Sequence, residues 1–173
     1  MIDNGTVTTL AGTGGSACTS NCDHVTGTSA GFYSPMGITT DGTNLYVADY
    51  SNHRIRKIVI STGVVTTLAG GGTDVSNRPS GSTDATGTSA SFNGPVGITT
   101  DGTNLYVTDY SNHRIRKIVI STGVVTTLAG SSSGFLDNTT GTSASFDRPF
   151  RITTDGTNLY FPDFGNHRIR KIE

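Results

Sequence analysis

Three copies of one polar group contain the residues of this sequence that are best suited to chemistry. In the first copy, Asp49 is followed closely by Asn52, His53 and Arg54. A carboxylate, an imidazole and a guanidinium in one short segment could support acid–base chemistry or metal binding. The same residue types recur at Asp109, Asn112, His113 and Arg114, and again at Asp163, Asn166, His167 and Arg168.

A structural role explains this repeated group better than catalysis does. A group that is present in every copy is expected to build the repeat rather than to act once. An Asp at a strand end accepts hydrogen bonds from a turn, Asn and His hold the turn, and Arg can pair with an Asp of its own or the next unit. A shared zinc site would need ligands about 2 Å from one point, which separated copies do not supply. We therefore predict a structural motif, with no catalytic residue, no metal and no cofactor.

Two cysteines, Cys18 and Cys22, lie in a segment rich in Gly, Ser and Thr. They could form a small disulfide, bind a metal or remain thiols, and His24 would supply at most one more metal ligand. A disulfide would suit a parent protein outside the cytoplasm, although the sequence does not define the compartment. Only one of the three connections has these cysteines, so the fold does not need them.

Basic residues form a second repeated pattern. Arg54, Arg56, Lys57 and their six equivalents account for nine of the 12 Lys and Arg residues. The 12 Asp residues balance them, and no aromatic side chain is interleaved for base stacking. We expect solvated or ion-paired strands and no nucleic-acid partner.

The composition indicates which elements must hold these groups. The chain has 173 residues, of which 23 are Gly, 30 Thr and 18 Ser, and it contains a single Glu. Strand and turn formers dominate while helix formers are scarce, so we predict an all-β fold. No apolar run approaches the roughly 20 residues needed to cross a bilayer, and the first residues do not resemble a secretion signal, so no membrane partner is expected.

A tandem repeat organises the chain. Residues 37–70 and 97–130 are identical except that Ala48 is replaced by Thr108, and a third copy covers 151–173. Each full copy has four strand-length segments separated by turn residues, with a bulge or a strand end expected between Ile55 and Ile58. Residues 7–12 match the last segment of a copy, so we predict an outer strand there. The third unit, 151–172, lacks that segment.

The repeat resembles the NHL repeat, whose pattern is Pro-x-Gly-Ile, Asp-Gly, an apolar strand and then Asp-x-x-Asn-x-Arg-Ile. Residues 35–55 fit this pattern, and all three copies carry it. Arg151 replaces the Gly in the third copy, and Pro162 interrupts its second strand. The resemblance implies a β-propeller of four-stranded blades, most often six in the ring: blade 1 at 37–70, blade 2 at 97–130 and blade 3 at 151–172.

Three blades do not close a ring, because two apolar faces and open strand edges would remain exposed. Two chains can close it if residues 7–12 of each complete blade 3 of the other. We therefore predict a homodimer that forms a six-bladed ring by strand exchange, with a nine-bladed trimer as the alternative.

Two classes of function fit such a ring. The first is a non-catalytic scaffold that binds a protein or small ligand through the channel mouth or the connections between blades. The alternative is an NHL-type lyase or hydrolase with a metal in the central channel. Near-identical copies are also expected of an engineered or excised repeat fragment, which the sequence does not distinguish from recent duplication.

Overall fold

The computed structural model describes residues 5–14, 23, 26–71 and 79–173. Within these ranges the protein is all-β, with three antiparallel sheets and no α-helix. The first two sheets have four strands and the third has three. Strands that follow one another along the chain are hydrogen-bonded neighbours, so each sheet is a meander.

The strand bounds follow the repeat. The first sheet contains β1 (Pro35–Thr40), β2 (Asn44–Asp49), β3 (Arg54–Val59) and β4 (Val65–Gly70). The second contains β5 (Pro95–Thr100), β6 (Asn104–Asp109), β7 (Arg114–Val119) and β8 (Val125–Ala129). The third contains β9 (Thr153–Thr154), β10 (Leu159–Asp163) and β11 (Arg168–Ile172). The described residues also form short 3-10 helices at Gly27–Ser29, Tyr50–Asn52, Gly87–Ser89, Tyr110–Asn112, Gly141–Ser143 and Phe164–Asn166.

A carboxylate fixes the turn between the first two strands of each sheet. Asp101 accepts hydrogen bonds from the backbone N–H groups of Thr103 and Asn104, at 2.8 and 2.6 Å, and from the Tyr106 hydroxyl at 2.8 Å. Burial would raise the pKa of Asp101, but these bonds and those of the Asn104 side chain outweigh it and lower the pKa to about 2. Burial and the bond to Asp101 raise the pKa of Tyr106 to about 12. Each carboxylate is therefore used in closing a turn.

The expected bulge is confirmed and lies in the outer pair of strands. Ile55 pairs with Ala69 and Arg56 pairs with Thr67, so Leu68 is the extra residue in β4. The second sheet has the same shift between Ile115 and Arg116. The pairing of β3 with β2 is unbroken, so Ile55 and Ile58 lie on opposite faces of β3, and each is buried in a different apolar cluster.

The turn expected at residues 51–53 differs in form from the simple prediction. Tyr50–Asn52 is a 3-10 turn, and His53 follows it in the left-handed region, with φ of 55°. His113 and His167 adopt the same conformation, with φ of 57° and 55°. Each histidine is thus held at the end of its blade in an orientation that the backbone sets.

Glycine allows the innermost strands of adjacent sheets to approach closely. A Cβ added to Gly97 would lie 2.8 Å from the Cα of Arg151 in the third sheet, which no real side chain allows. Gly37 packs in the same way against the backbone of Val96 and Gly97. Arg151 replaces this glycine in the third unit, where β9 is only two residues long.

Phenylalanines of the connections pack into the core between sheets. Phe92 and Phe146 are buried, and Phe92 belongs to a cluster that contains residues from both the first and the second sheet. Phe32 is partly buried beside the first sheet. The connections are therefore structural parts of the repeat in the ranges that the structure describes.

Residues 7–12 do not form the predicted strand within this chain. They have no ladder partner, although Gly12 donates its backbone N–H to the carbonyl of Gly27 at 2.9 Å. The segment lies against the first sheet with Val7 almost fully exposed. Among the described residues, no helix has the length and apolar character needed to cross a membrane.

Candidate functional site: the repeated Asp–Asn–Arg group

A buried carboxylate is the centre of the repeated polar group. Asp109 lies at the end of β6 and is inaccessible to solvent. One of its oxygens accepts the backbone N–H of Asn93 at 2.8 Å. The other accepts hydrogen bonds from the Asn112 side chain and from the Arg116 guanidinium, both at 2.8 Å. The carboxylate thus connects the inner strand, the 3-10 turn and the third strand of its sheet.

The other two units repeat this geometry. Asp49 accepts bonds from the Tyr33 N–H and from the side chains of Asn52 and Arg56, at 2.8, 2.8 and 3.0 Å. Asp163 accepts them from the Asp147 N–H and from the side chains of Asn166 and Arg170, at 2.6, 2.9 and 2.8 Å.

The arginine partner is not the one that the motif suggested. The sequence motif contains Arg54, Arg114 and Arg168, whereas the aspartates bind the arginine two positions later in each strand. Arg54 instead donates to the carbonyl of Gly71 at 3.3 Å, and Arg114 donates to that of Ser82 at 3.2 Å. The Arg168 guanidinium lies 4.5 Å from the centre of the Phe135 ring. Each motif aspartate is therefore bound to the second of two arginines that share one strand face, and the packed fold selects between them.

Arg116 joins its sheet to the preceding connection. Besides Asp109, it donates to the carbonyls of Ser91 and Thr83 at 2.9 and 3.0 Å, and to Asp84 at 2.6 Å. Its guanidinium lies 5.0 Å from the centre of the Phe92 ring. Burial raises the pKa of Asp109, although the bonds from Asn112, Asn93 and Arg116 oppose this. Burying such a carboxylate in its charged form is strongly unfavourable unless its guanidinium partner is in place.

Four of the nine residues of the basic cluster are buried rather than solvated. Arg54, Arg56 and Arg116 are each at most 3% exposed, and Arg170 is 9% exposed. The expectation of solvated or ion-paired strands is confirmed in its ion-paired form for Arg56, Arg116 and Arg170.

The histidines of the motif contact the next unit. The Nδ1 atom of His53 accepts the backbone N–H of Gly94 at 3.0 Å. The Nδ1 atom of His113 accepts that of Arg148 at 3.2 Å. Sequence reasoning missed these contacts, because residues 41 and 35 positions apart become neighbours only when adjacent sheets pack. The described residues contain no cluster of His, Cys, Asp or Glu suited to a metal ion. Cys18 and Cys22 lie outside the described residues, as does His24.

Comparison with known proteins identifies this repeated group. The model of the NHL repeat matches residues 92–118, which include Asp109, Asn112 and Arg114. NHL repeat-containing protein 2 of Homo sapiens is 33% identical over 156 residues. The chain belongs to the NHL-repeat family. The match covers 83% of this chain and 21% of that protein, so the chain spans about a fifth of the length of this curated relative.

Other relatives and structures agree with a β-propeller of NHL repeats. Protein SUPPRESSOR OF QUENCHING 1, chloroplastic, of Arabidopsis thaliana is 34% identical over 150 residues, covering 82% of this chain and 14% of that protein. A structural genomics protein of unknown function from Bacteroides thetaiotaomicron is 27% identical, with a TM-score of 0.64 over 74% of this chain and 32% of that one. An auxiliary nutrient binding protein from Bacteroides ovatus is 24% identical, with a TM-score of 0.67 over 86% and 39% of the two chains. The chain is thus an all-β protein of NHL repeats, and the Asp–Asn–Arg group recurs in each of its three sheets.

Proposed function

We propose that this NHL protein is a non-catalytic binding scaffold that works as a closed propeller ring, completed in the 173-residue chain by a second copy. The solvent exposure of one isoleucine supports ring closure. Ile169 in β11 is 77% exposed, whereas its equivalents Ile55 and Ile115 are 0% exposed under their outer strands. Blade 3 therefore presents an exposed apolar strand edge, whereas the fourth strand covers the equivalent edge in blades 1 and 2.

The N-terminal segment has the placement of an outer strand. Gly12 donates its N–H to Gly27, and Gly130 at the end of β8 donates to Gly141 in the same way, at 2.9 and 3.0 Å. Residues 7–12 thus meet blade 1 as β8 meets blade 3. In the proposed ring, β11 of a second copy would supply the inner strand with which this segment pairs.

The register of the complete blades predicts the register of this exchange. In blade 1, Ile58 pairs with Val65, Lys57 with Thr66, Arg56 with Thr67 and Ile55 with Ala69. Transferred to blade 3 with residues 7–12 of a second copy, this register predicts Ile172 opposite Val7, Lys171 opposite Thr8, Arg170 opposite Thr9, and Ile169 opposite Ala11. Leu10 would take the bulge position of Leu68.

A carboxylate of blade 3 is positioned to accept the same strand. Asp84 receives the backbone N–H and the hydroxyl of Thr127 at 2.9 and 3.0 Å, in addition to its bond from Arg116. Asp137 binds Arg170 in the equivalent way, but its side chain is 92% exposed. Thr9 of a second copy would provide the missing donors.

Blade 1, at the other end of the row of three blades, has a matching apolar face. Ile38 in blade 1 is 60% exposed, whereas Ile98 in blade 2 is 6% exposed. Met36 is likewise exposed where Val96 is buried. Blade 1 covers this face of blade 2, and blade 3 of a second copy would cover the equivalent face of blade 1. Six blades then close the ring, as the NHL resemblance suggests.

The binding role follows from where the reactive groups lie. The repeated Asp, Asn and Arg side chains are used within the blades, so ligand contacts are left to the channel mouth and to the connections, which vary most between repeats. The neighbouring Bacteroides ovatus structure is described as an auxiliary nutrient binding protein, and this supports a small-molecule or protein ligand here.

Disulfide trapping tests the exchanged register. In a Cys18→Ser/Cys22→Ser background, Thr8→Cys combined with Lys171→Cys should give a covalent dimer after mild oxidation. The equivalent pair within blade 1, Lys57→Cys with Thr66→Cys, is the matched control and should oxidise without changing the mass. Covalent trimers would contradict the six-bladed ring, and failure of the Thr8/Lys171 pair to link copies while the control oxidises would contradict the exchange.

A ligand screen tests the scaffold role. Thermal-shift measurements with a panel of sugars and amino acids should find a ligand that raises the melting temperature and is recovered unchanged. Hydrogen exchange should then show protection in residues 79–92 or 131–147. Turnover of the ligand, or stoichiometric metal on the protein that is needed for turnover, would contradict a non-catalytic role.

A further inference from the structure

A histidine contact recurs at each blade seam, which we define as the surface where one blade packs against the next. His53 and His113 both follow a 3-10 turn in the left-handed region, and each accepts a backbone N–H through Nδ1. The donors, Gly94 and Arg148, have positive φ values of 65° and 56°. Both sides of the contact are therefore fixed by backbone conformations that are repeated along the chain.

The two halves of a third such contact lie at opposite ends of the chain. His167 has the same left-handed backbone, with φ of 55°, and Ser34 has the donor conformation, with φ of 54°. In the part of the chain that the structure describes, no backbone N–H reaches the His167 ring. In the closed ring, His167 of one copy and Ser34 of the other face each other across the seam.

We propose that the Ser34 N–H of one copy donates to Nδ1 of His167 in the other, and that protonation of His167 opens this seam. The inference rests on the proposed two-copy ring and adds a form of regulation to it. Only a neutral imidazole with its hydrogen on Nε2 has a lone pair on Nδ1. An imidazolium donates from both nitrogens, so it would direct an N–H at the N–H of Ser34.

The facing loop determines which seams tolerate acid. At the seam between blades 2 and 3, the Asp147 carboxylate lies 3.4 Å from Nδ1 of His113 and can accept a bond from an imidazolium. Arg148, whose N–H is the donor there, also brings an exposed guanidinium. The residue equivalent to Asp147 at the seam between copies is Tyr33, whose neutral phenol offers no such compensation.

Other charged groups around His167 are already occupied. On its own blade, Asp163 is buried and bound to Arg170, and the Arg168 guanidinium lies over the Phe135 ring. On the facing blade of the second copy, Asp49 is buried and bound to Arg56. None of these groups is free to stabilise a positive charge on His167.

The direction of the pH effect follows from these contacts. The neutral form of His167 makes the bond, so the seam is complete while the imidazole is neutral and weakens when the imidazole is protonated. Losing one hydrogen bond to a buried donor corresponds to about a tenfold loss of affinity, and the ring has two such seams. The dimer dissociation constant should therefore rise about a hundredfold between pH 7.5 and pH 5.5. The seams within each chain are kept in register by the covalent connections.

Sedimentation velocity of the wild-type chain and two matched variants tests the contact. His167→Asn keeps an oxygen acceptor and tolerates the left-handed backbone but does not titrate, so its dimer should be equally stable at both pH values. His113→Asn makes the same change at an internal seam and should keep the wild-type pH dependence. Circular dichroism checks that each variant retains its sheet content.

The possible outcomes separate this inference from the ring itself. A wild-type dimer with the same dissociation constant at pH 7.5 and pH 5.5 overturns the histidine contact and leaves the ring intact. A pH dependence that survives in His167→Asn also overturns it. A wild-type chain that is monomeric at pH 7.5 overturns the ring and the contact together.

Discussion

The hydroxyl of Thr108 donates a hydrogen bond to the carbonyl oxygen of Phe150 at 2.9 Å and thereby joins blade 2 to blade 3. The Thr108 hydroxyl oxygen in turn accepts the backbone N–H of Gly97 at 2.6 Å. Thr108 is fully buried, and it is the single residue that distinguishes residues 97–130 from residues 37–70, where Ala48 takes its place. The one difference between the first two repeats thus makes a contact between blades.

Replacing this threonine should weaken the fold. Thr108→Ala leaves the buried Gly97 N–H and Phe150 carbonyl without this partner, and we expect a loss of about 1–3 kcal/mol in the free energy of unfolding. Urea unfolding followed by circular dichroism measures it. Thr126→Ala on the exposed face of β8 is the control for strand propensity, and an equal loss in both variants would contradict the role of the hydrogen bond.

Removing a buried guanidinium should have a larger effect. Arg116→Met leaves the Asp109 carboxylate buried without its charged partner, so we expect a loss of about 3–5 kcal/mol or failure to fold. Lys117→Met, at the next position and partly exposed, should change the unfolding free energy by less than about 0.5 kcal/mol. Similar losses in the two variants would show that Arg116 does not hold the blade together.

Alkaline titration should separate the turn tyrosines from ordinary ones. Burial and the bonds to Asp41 and Asp101 raise the pKa of Tyr46 and of Tyr106 to about 12. A raised pKa in the folded state gives stability that is complete below pH 10 and is lost as the pH rises toward 12. Absorbance at the phenolate band should show a late-titrating fraction, and Tyr106→Phe should reduce it. A single titration step near pH 10 in the folded protein would contradict these bonds.

Burial of the arginines also predicts weak contact with nucleic acid. Arg54, Arg56 and Arg116 are at most 3% exposed, so they cannot neutralise phosphates without unfolding the blade. An electrophoretic shift assay with single-stranded RNA at low salt should show no complex at about 10 μM protein, a concentration at which nonspecific binders form one. A salt-dependent shift would mean that another basic surface is present.

The sequence was sufficient for the elements and insufficient for the contacts between them. Alternating Leu45, Tyr46 and Val47 and the Asp-Gly turn depend on near neighbours, so the strands were predictable. The choice of Arg56 over Arg54 was not, because both point to one face of β3 and the connection with Phe32 selects between them. The histidine contacts were hidden for a related reason, since the donors lie in the next repeat.

The mass of the 173-residue chain in solution tests the central claim most directly. Size-exclusion chromatography with light scattering at pH 7.5 should give a particle of twice the chain mass of 18.0 kDa, with native sheet content by circular dichroism. Such a particle would show that the exposed edge at Ile169 is covered by a second copy. A folded monomer of 18.0 kDa would contradict closure by self-association, and a particle of three chains would contradict the six-bladed ring.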